Sequence, residues 1–217
     1  MIPTKRLFTR RDPERDAKSI YIFCEGKKRE YQYFQYFQGI DSRINIVIHP
    51  LKGNEDNSPT GLYQLAIQSL IKTEANPSPK YELLDGDEVW FVIDTDTWDS
   101  KVAELRALCG THQNWKIAQS NPCFEVWLYF HFFEDRATFQ WIEICDSWKT
   151  FLPEEIPGGF NSSKHSIFIG RAIENADKCF VYEDDGAPAT GCTEVFQLGR
   201  IIFGFCGRKI EGILNRI

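Results

Sequence analysis

The chain lacks any apolar run near the roughly 18–20 residues that a membrane span needs. Where a secretory signal would carry its apolar core, it has Lys5, Arg6, Arg10, Arg11, Asp12 and Glu14. It has no Gly-x-Ser-x-Gly elbow and no Gly-x-x-x-x-Gly-Lys-Ser/Thr loop, which argues against serine-hydrolase chemistry and against nucleotide hydrolysis at a P-loop. Methionine occurs once in 217 residues. Cys-x-x-Cys is absent, and no Cys/His set has zinc-finger spacing. A basic excess is lacking too. The net charge of −6 counts against a broad positive surface that coats nucleic acid. It leaves room for an enzyme that holds divalent cations on carboxylates.

What is present reads as one globular domain. Hydrophobic residues make up 42% and charged residues 26% of the chain, enough apolar material to bury a core. That core is aromatic, with 17 Phe, 8 Tyr and 6 Trp. The cysteines at 24, 109, 123, 145, 179, 192 and 206 are odd in number and widely spaced. They read as small buried apolar residues in a reducing compartment, so a cytoplasmic protein with no membrane association is expected.

Residues 1–18 form a basic arm with six Lys/Arg against three Asp/Glu. It reads as a solvated terminus, with contact to nucleic acid as the second reading. Residues 19–24, 44–49 and 88–93 are short β-rich apolar runs, and 114–118 is a fourth. Helical spacing follows each: an aromatic face over Tyr31–Phe37, then Thr60 to about Glu74, then Ser100–Leu108. A last helix is expected to open at Pro122, capped by Ser120 or Asn121, and to run through Phe132. This alternation predicts an α/β fold with a mostly parallel, doubly wound sheet over residues 19–135. Residues 136–217 are expected to be mainly helical and packed on that core. Helices are predicted near 137–149, 166–178 and 193–205, with loops at 153–164 and 184–192.

Glu25, Asp94 and Asp96 each stand at or just beyond the C-terminal end of a predicted buried strand. Those ends gather on one edge of a parallel sheet, where ligands bind. Residues i and i+2 of an extended segment point the same way, so Asp94 and Asp96 can face one point. Converging carboxylates repel, and a hard divalent cation such as Mg²⁺ resolves the repulsion. The alternative is that either Asp simply caps the helix that follows. Lys27, Lys28 and Arg29 lie just past Glu25, placed to neutralise phosphates or to form a solvated basic turn. Glu125 reads as an outer member of the acidic site or as a complement to a helix dipole. His131, among Trp127, Leu128, Phe130 and Phe132, reads better as a core histidine than as a site residue. Asn121 could donate to substrate or cap a helix. Glu30 reads as a supporting residue.

A strand ending in Glu-Gly, followed by a strand ending in Asp-x-Asp, resembles the Toprim fold of topoisomerases, primases and certain nucleases. Three segments together resemble the RloB family of phage-defence proteins. They are Tyr21–Phe34 around Glu25-Gly26, Val89–Asp96, and Ser120–Phe132, whose Ser-Asn-Pro-x-Phe-Glu-x-Trp pattern is the most specific. The likeness spans roughly 19–133, with an echo at Thr193-Glu194-Val195. Where that family usually has Glu-Gly-x-x-Thr-Glu, this chain has Arg29 at the Thr position and keeps Glu30.

The resemblance implies a Toprim-like, Rossmannoid core and a nuclease dependent on Mg²⁺ or Mn²⁺, acting on DNA or RNA in phage defence and abortive infection. It also implies a partner AAA-type ATPase like RloA. Glu25, Asp94 and Asp96 would be the metal and catalytic set. Lys27, Lys28, Arg29 and Asn121 would meet substrate, with Glu30, Glu125 and His131 in support. A non-catalytic effector or adaptor that keeps the fold is the alternative. A small-molecule phosphotransferase or hydrolase, the third reading, would require a closed apolar pocket.

Overall fold

A computed structural model describes residues 17–53, 55–95 and 98–216. Most of the basic arm and Asp96 therefore lie outside the described residues. Along β1 (Lys18–Cys24), Ile20, Ile22 and Cys24 point to one face of a sheet and Tyr21 and Phe23 to the other, and all five are buried. Helix α1 (Arg29–Gln35) follows and buries Tyr33 and Phe34, and β2 (Ile44–His49) pairs parallel to β1. Helix α2 (Pro59–Leu70) starts where Pro59 occupies the first turn and the Ser58 hydroxyl accepts from Gly61 N–H.

Next, β3 (Glu88–Asp94) lies parallel to β1 on its other side. Helix α3 (Asp99–Cys109) leads to β4 (Trp115–Asn121), parallel to β3. The chain then continues through α4 (Glu125–Tyr129), α5 (Cys145–Glu155), α6 (Ser162–His165) and α7 (Ile169–Cys179). It ends with a two-residue strand, β5 (Cys192–Thr193), and the long α8 (Val195–Leu214). Among the described residues, no helix is long and apolar enough to cross a membrane.

The sheet order is β2-β1-β3-β4-β5, parallel except for β5. This is the mostly parallel α/β architecture expected from the sequence. Helices α2 and α3 cover one face through Leu62, Ala66, Leu70, Val102 and Leu105. The other face carries α1, α4, α5, α7 and α8 in one continuous core. Because both faces are covered, the inner strands read as unbroken apolar runs.

Three local expectations are corrected. The helix after β4 starts at Glu125, not Pro122. Ser120 and Asn121 belong to β4, and the Asn121 amide donates to the Pro188 carbonyl (2.8 Å) instead of capping. The helix expected over 137–149 begins only at Cys145. The chain before it is irregular, with Trp141 at φ 66°, a conformation no helix accepts. Its other end runs to Glu155, because Pro153 falls in the last turn rather than opening a loop. The segment expected as loop up to 192 ends in β5, where Thr193 Oγ1 meets Ser120 Oγ at 2.7 Å.

Candidate functional site

The strand order reverses between β1 and β3. One connection leaves β1 toward β2, while the chain returns across β1 to build β3 and β4 on the other side. In an open parallel sheet the crevice beyond the carboxyl ends of such a pair is the natural ligand site. Glu25 and Asp94 stand there. Glu25 N–H donates to the Val92 carbonyl (3.1 Å), which extends the β1–β3 ladder by one residue. Its carboxylate is held at both oxygens: Asp94 N–H donates to Oε2 (3.1 Å) and the Trp98 indole N–H to Oε1 (2.7 Å). Two donors of this kind fix its orientation.

Glu30, in the first turn of α1, brings a third carboxylate. Its carboxyl packs directly on Gly26; a Cβ at Gly26 would lie 2.0 Å from Glu30 Oε2. A larger residue than the glycine of the Glu-Gly pair would therefore push the Glu30 carboxyl from its place. Glu125, opening α4, is a fourth carboxylate, 5% exposed, and pairs with Arg29 (Nη1 to Oε1, 3.0 Å). The group is electrostatically coupled. Burial, then the charges of Glu125 and Glu25, push Glu30 up to about 7, against the pull of its own backbone N–H and of Arg29. Burial and the charges of Glu30, Glu25 and Glu125 raise Asp94 as well.

A carboxyl whose folded pKa is raised from 4.5 to about 7 stabilises the fold fully below 4.5, and that contribution is lost as pH rises through about 7. Metal-free protein is thus expected to lose stability across this window. Glu30→Gln should flatten the loss and leave the variant the more stable of the two at alkaline pH. Thermal unfolding from pH 4 to 9 in chelator checks it, with the variant-minus-parent difference isolating Glu30.

The remaining candidates divide. Lys27 Nζ donates to the Gly53 carbonyl (3.0 Å) on an exposed loop, and Lys28 is exposed just before α1. Lys28 and Arg29 line a cleft of about 440 Å³ together with Gln32, Phe160 and Asn161. His131 lies apart from the carboxylates as a core residue. It is fully buried, with Nε2 at 3.1 Å from the Tyr33 hydroxyl and Nδ1 at 3.0 Å from the Trp127 carbonyl. Burial lowers it to about 3, so it stays neutral.

Sequence reasoning missed the brace behind Asp94. Thr95 N–H reaches the carbonyls of Ser120 (3.0 Å) and Pro122 (2.9 Å), and its hydroxyl accepts from Gln119 Nε2 (2.8 Å). Arg106 Nη2 donates to Gln119 Oε1 (2.7 Å) and to Glu194 Oε2 (2.6 Å), while Gln119 N–H also reaches Glu194 Oε2 (3.1 Å). The echo at Thr193-Glu194-Val195 was the available signal. Glu194 is buried, and the Arg106 side chain is 34% exposed. Removing one member of such a pair strands the other, so Arg106→Ala is expected to cost about 2–3 kcal/mol, reduced by solvent at Arg106. Urea unfolding measures it.

The sequence model of the RloB-like protein family matches residues 20–200, a span that holds Glu25, Glu30, Asp94, Glu125 and Glu194. No curated protein and no solved structure matches the chain. The chain belongs to the RloB-like protein family.

Proposed function

We propose that the protein is a Toprim-like, Mg²⁺-dependent nuclease that hydrolyses phosphodiester bonds of nucleic acid in phage defence. The observation that carries this reading is the gathering of Glu25, Glu30 and Asp94 at the switch point, with Glu30 and Asp94 both raised in proton affinity. Such a group binds either protons or a cation. Its donors are all carboxylate oxygens, which suit Mg²⁺ and, second, Mn²⁺. Glu25, Asp94 and Glu30 would hold the ion, with Asp96 as a further ligand. A bound divalent cation supplies Lewis-acid polarisation of the scissile phosphate and charge stabilisation of the leaving oxygen.

The chain's own side chains do the rest. Glu25, fixed by the Asp94 and Trp98 N–H groups, would complete the metal shell or act as general base on the attacking water. Lys28 and Arg29 border the cleft, and with Lys27 they would bind backbone phosphates. Control by an AAA-type ATPase partner, which the resemblance implies, and a cytoplasmic location belong to the same reading.

A second reading rests on Arg29. Its guanidinium occupies a Glu125 oxygen within the cluster, as expected of an adaptor in which the acidic edge no longer serves chemistry. One assay separates the two. Purified protein, with and without a cognate ATPase, is incubated with plasmid, single-stranded DNA and total tRNA in Mg²⁺ or Mn²⁺. Cleavage that chelator abolishes supports the nuclease; intact substrates in every arm, with partner binding retained, support the adaptor.

A further inference from the structure

Among the described residues, Cys123 Sγ, Cys145 Sγ and a carboxylate oxygen of Glu125 lie within 4.8 Å of one another. They come from three places in the fold. Cys123 sits between β4 and α4, Glu125 opens α4, and Cys145 opens α5. All three are buried. A tetrahedral Zn²⁺ with sulfur at about 2.3 Å and oxygen at about 2.0–2.2 Å sets its ligands about 3.5–3.8 Å apart. Side-chain shifts of about 1 Å therefore close the triangle.

We infer that Cys123, Cys145 and Glu125 form a binding site for a thiophilic divalent cation of the Zn²⁺ class, in the wall of the carboxylate cluster. An apolar role for the two thiols would not bring a buried carboxylate against them. The Cys123 thiol's contact with the Cys145 carbonyl is long, at 3.9 Å, and gives little reason for the pairing. Soft sulfur donors reject Mg²⁺ and select Zn²⁺ or Co²⁺, so this site is distinct in chemistry from the all-oxygen set of Glu25, Glu30 and Asp94. Three protein ligands leave the fourth position for water. Arg29 engages Glu125 at Oε1 and leaves Oε2 for the ion. Its half-exposed side chain borders the cleft.

The inference stands whether or not the chain is a nuclease, and its test reads metal binding directly. Metal-stripped full-length protein is titrated with Co²⁺ under reducing conditions while thiolate-to-cobalt charge-transfer absorption is followed. The band is expected to saturate near about one equivalent and to be bleached by Zn²⁺. It should vanish in Cys123→Ser and in Cys145→Ser and persist in Cys206→Ser, a buried cysteine elsewhere in the core. Glu125→Gln keeps both sulfurs and is expected to weaken Co²⁺ binding by about tenfold or more. A wild-type chain that gives no charge-transfer band overturns the site. So does a band that survives in either serine variant. An unchanged Co²⁺ affinity in Glu125→Gln overturns the carboxylate's part, and that variant decides the matter even where a serine variant fails to fold.

Discussion

Asp94→Ala is expected to lower metal-dependent cleavage of nucleic acid about 10³-fold or more, with the fold intact. Asp94 is the last residue of β3, and its side chain lies at the switch point, outside both apolar cores. On the proposed reading, its removal would delete an oxygen donor from the Mg²⁺ set and with it much of the polarisation of phosphate. The same change relieves repulsion, since Asp94 is raised by Glu30, Glu25 and Glu125. Thermal stability without metal should therefore hold or rise while activity falls. That opposition is diagnostic: a residue needed for folding would lose both together. Glu25→Gln should act similarly on rate. It would also leave either Asp94 N–H or the Trp98 indole N–H facing an NH₂ group, because the amide offers one acceptor oxygen where the carboxylate offers two. Single-turnover cleavage at saturating Mg²⁺, beside a melting curve in chelator, makes the comparison. An Asp94→Ala protein that cleaves at the parental rate would remove Asp94 from the catalytic set.

Trp127→Ala is expected to have the largest effect on stability. The indole is fully buried, where α4 meets α1 and α8. It packs edge-on against Tyr33 (centroids 6.1 Å, 83°) and His131 (5.1 Å, 80°). A Cβ placed on Gly199 would lie 3.3 Å from its Cη2. Little around it can collapse into the space, because sheet and helices close on it from several sides. Truncation of a buried Trp costs about 3–5 kcal/mol, which for a chain of this size is roughly 6–20 °C in Tm. Trp127→Phe keeps most of the volume and should cost less than half of that. A scanning melt of both variants checks the order.

Much of this architecture was legible because buried parallel strands are the plainest pattern a sequence can show. Ile20–Cys24 and Val89–Ile93 are continuous apolar runs that end at a charged residue, and those charged residues, Glu25 and Asp94, stand at the reversal of strand order. The C-terminal part was less readable. With only two residues, β5 is too short to express a period of two, and its place is set by Ser120 and Asn121, more than seventy positions earlier. A left-handed Trp141 broke a stretch whose composition suited a helix. In the site, Glu30 looked like a supporting residue, because only the folded chain shows its carboxyl lying on Gly26. Cys123 and Cys145 carried no spacing signal across 22 residues, and Arg106 and Glu194 are separated by 88. Pairings of that kind are made by topology, and no local window contains them.

The clasp of Glu194 on Gln119 and Arg106 has a consequence for when the site comes into being. Its hydrogen bonds span 75 and 88 residues, so Gln119, which braces Thr95 in the turn after β3, lacks its outer support until the start of α8 has docked. Contacts that distant form late, because the loop-closure entropy must be met first. During synthesis, the strands that carry Glu25 and Asp94 leave the ribosome long before Glu194 does. The activity proposed for this site would then reach its full geometry only once α8 has been made.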